Sequence, residues 1–565
     1  MASHQERTAI EKGAAMILKG PASKCPKILK SIGEVFFEKC AKHPNKIFQI
    51  EADTGVEETY AQAKLRSIRL ALVLNKYVKP GDTTLICSEN TIDNVIPILA
   101  TLYIGGIASS IDPKDTVDDV VHAMSYIKPK VVFTEPRSSK LLKEAYAKLQ
   151  KDDPSLCVKF ITIGGSEEND GENLLIDDLT IEHHEENDFN IHPQDPFDTA
   201  VYVFTSGTTS KPKPVALSHF GVLHGFKCLV DEIDNCKPDV LIHFASLYWI
   251  SAILLTGITI VNGGTKIVAP KIPALNLLEL IEKYKVTFAF MSNTYTYSLT
   301  NLPLDIIAKH NTSSLYSIII GGSTMSPAQL QKIRQILPHT KVTVGYGSSE
   351  CAAVSAFDLI DLKAYEKKIL ASGKVVADVQ VKIVDVETGN LAPVNTTGEI
   401  LVKNPYMMKG YHPQVVVPSS TFDSDGFIRT GDLGYYDEDE YLFVTDRLTD
   451  TFKYTTYQVC PCEIERVLYE HPAVEECAVF GVHHEIDRNH PAASIVLKKG
   501  ATATKEELLE FINSQVSVKN QIRAGLDIVE KLPKSSTGKI LRKALAKAFI
   551  QKYDLWFYGM DRSKL

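Results

Sequence analysis

Val201–Leu217, VYVFTSGTTSKPKPVAL, constrains this chain more than any other stretch. An apolar, β-prone run (Val201, Tyr202, Val203, Phe204) opens into hydroxyl, glycine and lysine residues and closes as Val215-Ala216-Leu217. Strand, polar loop, strand is the expected arrangement: Gly207 permits backbone angles that other residues avoid, and Pro212 and Pro214 bar a helix. Consecutive backbone N–H groups, the hydroxyls of Thr205, Ser206, Thr208 and Thr209, and the ammonium groups of Lys211 and Lys213 can together wrap a polyphosphate. The same composition also describes an ordinary Ser/Thr-rich surface turn. It is not a Walker A loop, because counting from Gly207 that pattern requires glycine where Pro212 stands. A nucleotide is implied, but by another architecture.

The surrounding texture is α/β. Thr83–Cys87 reads as a buried strand, Thr91–Gly105 as a helix, and Lys130–Thr134 and Phe160–Gly164 as further short strands. Acidic Ser166–Asp188 reads as an exposed connection. Strands alternating with helices imply a mostly parallel sheet covered on both faces, with ligands beyond the carboxyl ends of its strands. A chain of 565 residues holds several cores, a large multi-layer body and at least one smaller domain. The net charge of −8, with no compensating basic block, argues against a nucleic-acid partner. The 10 cysteines are scattered without a CxxC pair, and Cys460 and Cys462 lack metal-ligand spacing, so thiols in a reducing compartment are expected. The N-terminus is polar, so no secretory leader is expected. Val95–Ile107 and Ser251–Val261 are too short to span a bilayer, and no transmembrane segment is expected. Ser563-Lys564-Leu565 match the peroxisomal address SKL, which implies a peroxisomal location and an import receptor as partner.

Two strands run into glycine turns. Leu315–Thr324 (LYSIIIGGST) ends in Gly321-Gly322-Ser323, and Lys341–Glu350 (KVTVGYGSSE) ends in Gly345-Tyr346-Gly347-Ser348-Ser349-Glu350. Read alone, the second is a failed dinucleotide fingerprint, since Glu350 replaces the third glycine. Alongside them stand Thr397–Tyr411 (TGEILVKNPYMMKGY), Phe427–Tyr436 (FIRTGDLGYY), Tyr441–Glu465 (YLFVTDRLTDTFKYTTYQVCPCEIE) and Leu532–Leu541 (LPKSSTGKIL). TSGTTSKPKPV resembles the [ST]SGTTGxPKGV phosphate-binding signature of the adenylate-forming superfamily, which includes acyl- and aryl-CoA ligases such as the 4-coumarate–CoA ligases, and beetle luciferases. The other segments resemble that superfamily's later motifs in the same order, from about residue 45 to the C-terminus.

The resemblance implies an α/β large body with multi-layer, parallel-rich sheets over residues 1–446 and a small, mobile α+β C-terminal domain over 447–565, hinged at about 446–450. It implies ATP, Mg²⁺ and coenzyme A as cofactor and co-substrates and a small carboxylic acid, fatty or aromatic, as substrate. The carboxylate attacks the α-phosphorus of Mg-ATP to give an acyl-adenylate, the small domain rotates, and a thiol displaces AMP. By the same resemblance Thr205, Ser206, Gly207, Thr208, Thr209 and Lys213 cradle the phosphates, with Thr208 and Glu350 at Mg²⁺. Gly321, Gly322 and Ser323 pack on adenine and substrate, Tyr346 stacks on adenine within Gly345–Ser349, and Asp432 and Arg447 hold the ribose or phosphate. Lys539 is the expected catalytic lysine and Lys453 approaches in the second conformation. Tyr248, Trp249, Ile250 and Met291 are expected in the acid pocket, though Tyr248 and Trp249 read equally as plain core, and His243 as structural.

Several positions depart from the pattern. Ser210 and Pro214 replace loop glycines, Tyr248 stands for a histidine, Asn404 for a glycine in a segment read as structural, and Thr455-Thr456 for Lys/Arg-Gly. A side chain at Thr456 is expected to narrow the pantetheine channel. Two alternatives therefore stand beside a peroxisomal acyl- or aryl-CoA ligase: a luciferase-like monooxygenase acting on an adenylated heteroaromatic acid, and a weakly active or inert acyl-binding paralogue.

Overall fold

The structure, a computed structural model, describes residues 15–24, 26–164, 174–205, 211–232, 239–269, 274–322, 327–357, 367–455, 457–534 and 540–555. Ser206–Ser210, Ser323, Thr456, Lys539 and Ser563–Leu565 lie outside them, so expectations placed on those residues are not addressed by it.

Val201–Leu217 does form strand and strand. Thr199–Phe204 pairs antiparallel with Pro214–Ser218, and the neck of the loop between them is closed twice, by Thr205 N–H to the Lys213 carbonyl (3.0 Å) and Lys213 N–H to Thr205 Oγ1 (3.1 Å). The pair belongs to an eight-stranded sheet that continues in parallel through Ile107–Ile111, Thr83–Cys87, Val131–Thr134, Lys159–Thr162 and Leu174–Leu175. Gly410–Tyr411 forms its opposite edge. A second, seven-stranded sheet runs Lys341–Val344, Ser317–Ile320, Phe288–Met291, Val240–His243, Thr265–Val268 and Ile47–Glu51, all parallel, with Glu57–Thr59 folded back at the edge. Side chains such as Ile318, Ile319 and Ile320 are inaccessible in succession, the signature of a strand covered on both faces. Five antiparallel strands, including Gly398–Lys403, Ile428–Tyr436 and Leu442–Arg447, make a third layer.

Helix starts follow local chemistry. Ser31, Thr59, Thr116 and Thr504 each complete a reciprocal capping box. The helix expected over 91–105 is shorter, Val95–Tyr103, with 92–94 in a turn before it. Pro97 accounts for the late start, because its missing N–H costs no helical bond within the first turn.

The third layer's last strand ends at Arg447, and the first strand of the C-terminal sheet, Phe452–Tyr454, begins five residues later. That sheet joins Tyr457–Val459, Arg488–Leu497, Val474–His484 and Gly525–Ile528, packed with helices Pro461–Leu468 and Lys505–Gln515 around their own core of Val459, Ile464, Leu468, Val479, Ile495, Leu508 and Ile512. This is an α+β unit distinct in composition from the parallel sheets before it.

One buried charge stands out in the seven-stranded sheet. Lys266, aligned with Gln49 on the neighbouring strand, is 3% exposed with its ammonium 5.5 Å over the Phe48 ring. Burial pushes its pKa down from 10.5 to about 7 against the opposing pull of Glu58. As pH falls from 10.5 to 7 the unfolded chain takes the proton while the folded one resists, so this residue lowers stability across that window. Lys266→Met is therefore expected to be more stable at pH 7, with the advantage shrinking toward pH 10.5; even half the shift is worth about 2 kcal/mol. Denaturant melts at several pH values check it, and a pH-independent difference would contradict it.

Candidate active site

The parallel register of the seven-stranded sheet ends Met291, Ile320 and Val344 side by side. The segments that follow therefore leave the same carboxyl edge: Gly321-Gly322 after one strand and Gly345-Tyr346 after the next, with Tyr248-Trp249-Ile250 in the segment after His243. This is where an open α/β sheet leaves a crevice for ligands. Gly322 adopts φ +93°, a conformation that strains any side chain, and a Cβ on Gly347 would sit 2.3 Å from the Ala352 carbonyl oxygen. Glycine at 347 lets Tyr346–Ser348 fold tightly onto Ala352–Ala356.

The turn 346–351 collects side chains from the other two layers. The Tyr346 hydroxyl donates to Asp432 Oδ2 at 2.8 Å, and Arg447 Nε lies 3.3 Å from Asp432 Oδ1. Asp432 and Arg447 face each other in register on adjacent strands, which puts both at one end of the third layer. At the other end of the turn, the Tyr411 hydroxyl donates to Glu350 Oε1 at 3.1 Å, and the Lys213 ammonium lies 5.6 Å over the Tyr411 ring. Burial, reinforced by the Glu350 charge, pushes the Tyr411 phenol up, so it stays a proton donor to that carboxylate. Burial does the same to Tyr346, with Asp432 adding to it. Lys213, Glu350, Tyr346, Asp432 and Arg447 thus gather around one short segment.

Thr397–Tyr411 reads as structural, and part of it is: Asn404 Nδ2 donates to the Cys351 carbonyl (2.9 Å), and Met408 N–H to the Glu350 carbonyl (2.8 Å). The same wrapping carries Tyr411 onto Glu350, and only its pairing as an edge strand with Val215 reveals this. On the expectation that Glu350 holds Mg²⁺, Tyr411→Phe should lower affinity for Mg-nucleotide by about tenfold or more, in line with about 1.5–3 kcal/mol for a hydrogen bond to a charged group. Nucleotide titrations against Mg²⁺ concentration check it, and an unchanged Mg²⁺ requirement would refute it.

His122, reaching over from helix Val117–Ile127, pins the loop's return limb through its Nε2 contact of 2.9 Å with the Pro212 carbonyl. Ser348 Oγ accepts the Cys351 N–H at 3.1 Å, which gives that hydroxyl a part in closing the turn. The Tyr248 and Trp249 rings lie 5.4 Å apart, half-buried, and Ile250 begins the helix Ile250–Asn262. Met291 is fully packed in the sheet core, and its carbonyl accepts the Gly321 N–H. His243 is buried with Nδ1 3.0 Å from the Ala245 carbonyl, and burial drives its pKa down to about 3, so it is a neutral structural histidine. Lys453 lies away from this group: its ammonium pairs at 3.4 Å with Glu387 on the surface.

The fold and this geometry define an adenylate-forming enzyme. The chain belongs to the AMP-binding enzyme family, whose description matches residues 36–412, with the AMP-binding enzyme C-terminal domain matching residues 463–539. It is 31% identical over 522 residues to 4-coumarate–CoA ligase CCL1 of Humulus lupulus, covering 90% of this chain and 92% of that one. It is also 31% identical over 503 residues to luciferin 4-monooxygenase of Luciola mingrelica, covering 87% and 89%. Among solved structures, the luciferase-like enzyme from the nonluminescent mealworm Zophobas morio superposes with a TM-score of 0.71 at 34% identity, over 78% of this chain and all of that one. ATP-bound MatB from Rhodopseudomonas palustris has a TM-score of 0.82 at 24% identity, over 93% of this chain and 100% of that one, a likeness of fold. Among the described residues no helix is long and apolar enough to cross a membrane.

Proposed function

We propose that this protein is a CoA ligase that activates a carboxylic acid with ATP as an acyl-adenylate and passes the acyl group to coenzyme A. The observation that carries the reading is the meeting of three separate layers on residues 346–351: Lys213 and Tyr411 at Glu350, and Asp432 with Arg447 at Tyr346. A carboxylate between strands, with a phenol and a guanidinium beside it, suits the paired hydroxyls of a ribose. Lys213, at the exit of the hydroxyl-rich loop, suits the phosphates.

Glu350 fits an Mg²⁺ ligand: it is a hard oxygen donor, and Tyr411 engages only Oε1. When bound, Mg²⁺ neutralises charge on the phosphates being separated. The chain's own residues orient the nucleotide by the ribose and phosphate contacts, and Lys539 supplies positive charge where the carboxylate meets the α-phosphorus, which lowers the barrier by positioning and electrostatics. Tyr248, Trp249 and Ile250 on the same sheet edge supply the apolar wall for the acid. Lys453 serves the thiol-transfer half after rotation about 446–450, with residues 1–446 and 447–565 as the two moving parts.

ATP–pyrophosphate exchange with a panel of fatty and aromatic acids, followed by CoA-dependent AMP release, tests the proposal. Exchange and CoA-dependent release with the same acid support it, and absence of exchange with every acid, despite ATP binding, overturns it. The likeness to luciferin 4-monooxygenase favours a second reading, oxidation of an adenylated heteroaromatic acid by O₂. Light or O₂ uptake without CoA-dependent AMP release would select it. We assign a peroxisomal location to the same protein on the strength of Ser563-Lys564-Leu565, and removal of those residues from a fluorescent fusion should disperse it.

A further inference from the structure

The C-terminal unit carries a side-chain cluster that the adenylation chemistry does not use. Val474–His484 and Arg488–Leu497 form an antiparallel hairpin in which His484 lies opposite Arg488, and Val482 opposite His490. Residues two apart share a face of a strand, so His484 and His490 are diagonal neighbours on one side of the hairpin. Their rings stand 4.0 Å apart and nearly parallel. The three-residue turn brings Asp487 back over the same side. Its Oδ2 lies 2.8 Å from His490 Nε2 and 3.6 Å from His484 Nδ1, and each residue offers a ligand atom within 4.8 Å of the others. The side chains are only 10–30% exposed, so the cluster is walled by protein yet open to solvent on one side.

We propose that this hairpin tip binds one divalent transition-metal ion of the Zn²⁺ class through His484, Asp487 and His490, with water or an exogenous ligand at the fourth position. Bonds of about 2.0–2.2 Å in a tetrahedron separate ligand atoms by about 3.3 Å, between the two spacings present here. The ion takes the place of the proton shared by His490 Nε2 and Asp487 Oδ2, that proton moving to Nδ1. His484 turns out of the ring stack so that its lone pair meets the same point, giving up its acceptance of the Asp487 N–H (3.1 Å) where Nδ1 is the ligand atom. Two imidazoles with one carboxylate select Zn²⁺, Co²⁺, Ni²⁺ or Cu²⁺ over Mg²⁺ and Ca²⁺, which require more oxygen donors. The site is thereby chemically separate from Glu350.

The backbone around the site connects it to the segment bearing Lys453. The Thr455 N–H donates to the Asp487 carbonyl at 2.7 Å, Asn489 Nδ2 donates to the Lys453 carbonyl at 3.1 Å, and the Tyr454 ring lies 5.7 Å from His490. An ion that fixes the turn therefore also fixes Lys453–Thr455. Among the described residues the other such group, His183, His184 and Glu185, is three consecutive residues with His184 84% exposed, and it serves as the internal control.

The test uses the full chain, stripped with a chelator and titrated with Zn²⁺ by calorimetry in excess Mg²⁺, with Co²⁺ spectra as a second probe. Expected are one tight Zn²⁺ equivalent, a tetrahedral-type Co²⁺ spectrum, and slower amide exchange at Thr455 on metal addition. Losing even an outer partner of a metal site costs about 10–100-fold in affinity, so H484A, H490A and the gentler Asp487→Asn should each weaken binding by at least that much. The His183→Ala/His184→Ala pair should leave it unchanged. Zn²⁺ binding that survives in H484A and D487N with folded far-UV spectra, or that disappears only in the control pair, overturns the proposal.

Discussion

Asp432→Asn should lower ATP–pyrophosphate exchange by about 100-fold while leaving the melting temperature close to that of the wild type. Asp432 is 7% exposed and held by Tyr346 Oη on one oxygen and Arg447 on the other. The amide keeps the size and one acceptor, so packing survives, but the negative acceptor proposed for two ribose hydroxyls is lost. Hydrogen bonds to a charged group contribute about 1.5–3 kcal/mol each, and two at the lower end amount to about 3 kcal/mol, or roughly two decades in rate. Tyr346 and Arg447 share this carboxylate, so Arg447→Gln combined with Asp432→Asn should cost less than the sum of the separate losses. The measurement is kcat/KM for ATP in the exchange assay. A loss under about threefold would remove Asp432 from the nucleotide site, because no pair of hydrogen bonds to a charge is worth so little.

Arg542→Ala should destabilise the C-terminal unit by about 3–5 kcal/mol, the largest stability effect expected of any single change here. Arg542 opens the helix Arg542–Lys552, three residues beyond Lys539 in the sequence. Its Nη2 lies 2.8 Å from both oxygens of Glu465, and Nη1 3.4 Å from Asp450 between the two sheet systems. Asp446, 8% exposed, has its pKa pushed up to about 6 by burial, with Arg542 pulling the other way. Truncating the guanidinium removes the cation that offsets the burial of Glu465, Asp450 and Asp446. Arg542→Lys should recover little, since a point charge cannot span Glu465 and Asp450 as the planar fork does. Arg542→Met with Glu465→Gln should recover part, because Gln can still accept the Val479 N–H now bonded to Glu465 at 2.8 Å. Denaturant unfolding followed by amide exchange in 457–528 reads the effect. A penalty below about 1 kcal/mol would show the cluster to be solvated.

Most of the architecture was legible because parallel sheets write themselves plainly in sequence. Thr83–Cys87 matches its expected bounds residue for residue, and Val201–Phe204 and Val215–Leu217 flank their loop as read. The runs are apolar on both faces, bounded by glycine and proline, and need no partner to be recognised. Element ends were less legible: the helix read from Thr91 starts at Val95, where the competing turn of Thr91–Asn94 ends.

The site divides in the same way. Residues that stand in segments resembling the superfamily's motifs, such as the glycines at 321, 322 and 347 or the carboxylates at 350 and 432, could be singled out one motif at a time. Tyr411 could not, nor could the burial of Lys266, the reach of Arg542 to Asp450, or the convergence of His484 with His490. Each depends on which strand lies beside which, and on a register in which a one-residue slip turns a side chain to the other face.

By itself the sequence determined the order of strands, turns and motifs, since backbone preference and hydrophobic period act over a few residues. Only the tertiary structure decided which distant side chains share a charge, a proton or a wall. Those choices are made by packing and desolvation between segments that the fold, not chain order, sets side by side, and no local pattern encodes them.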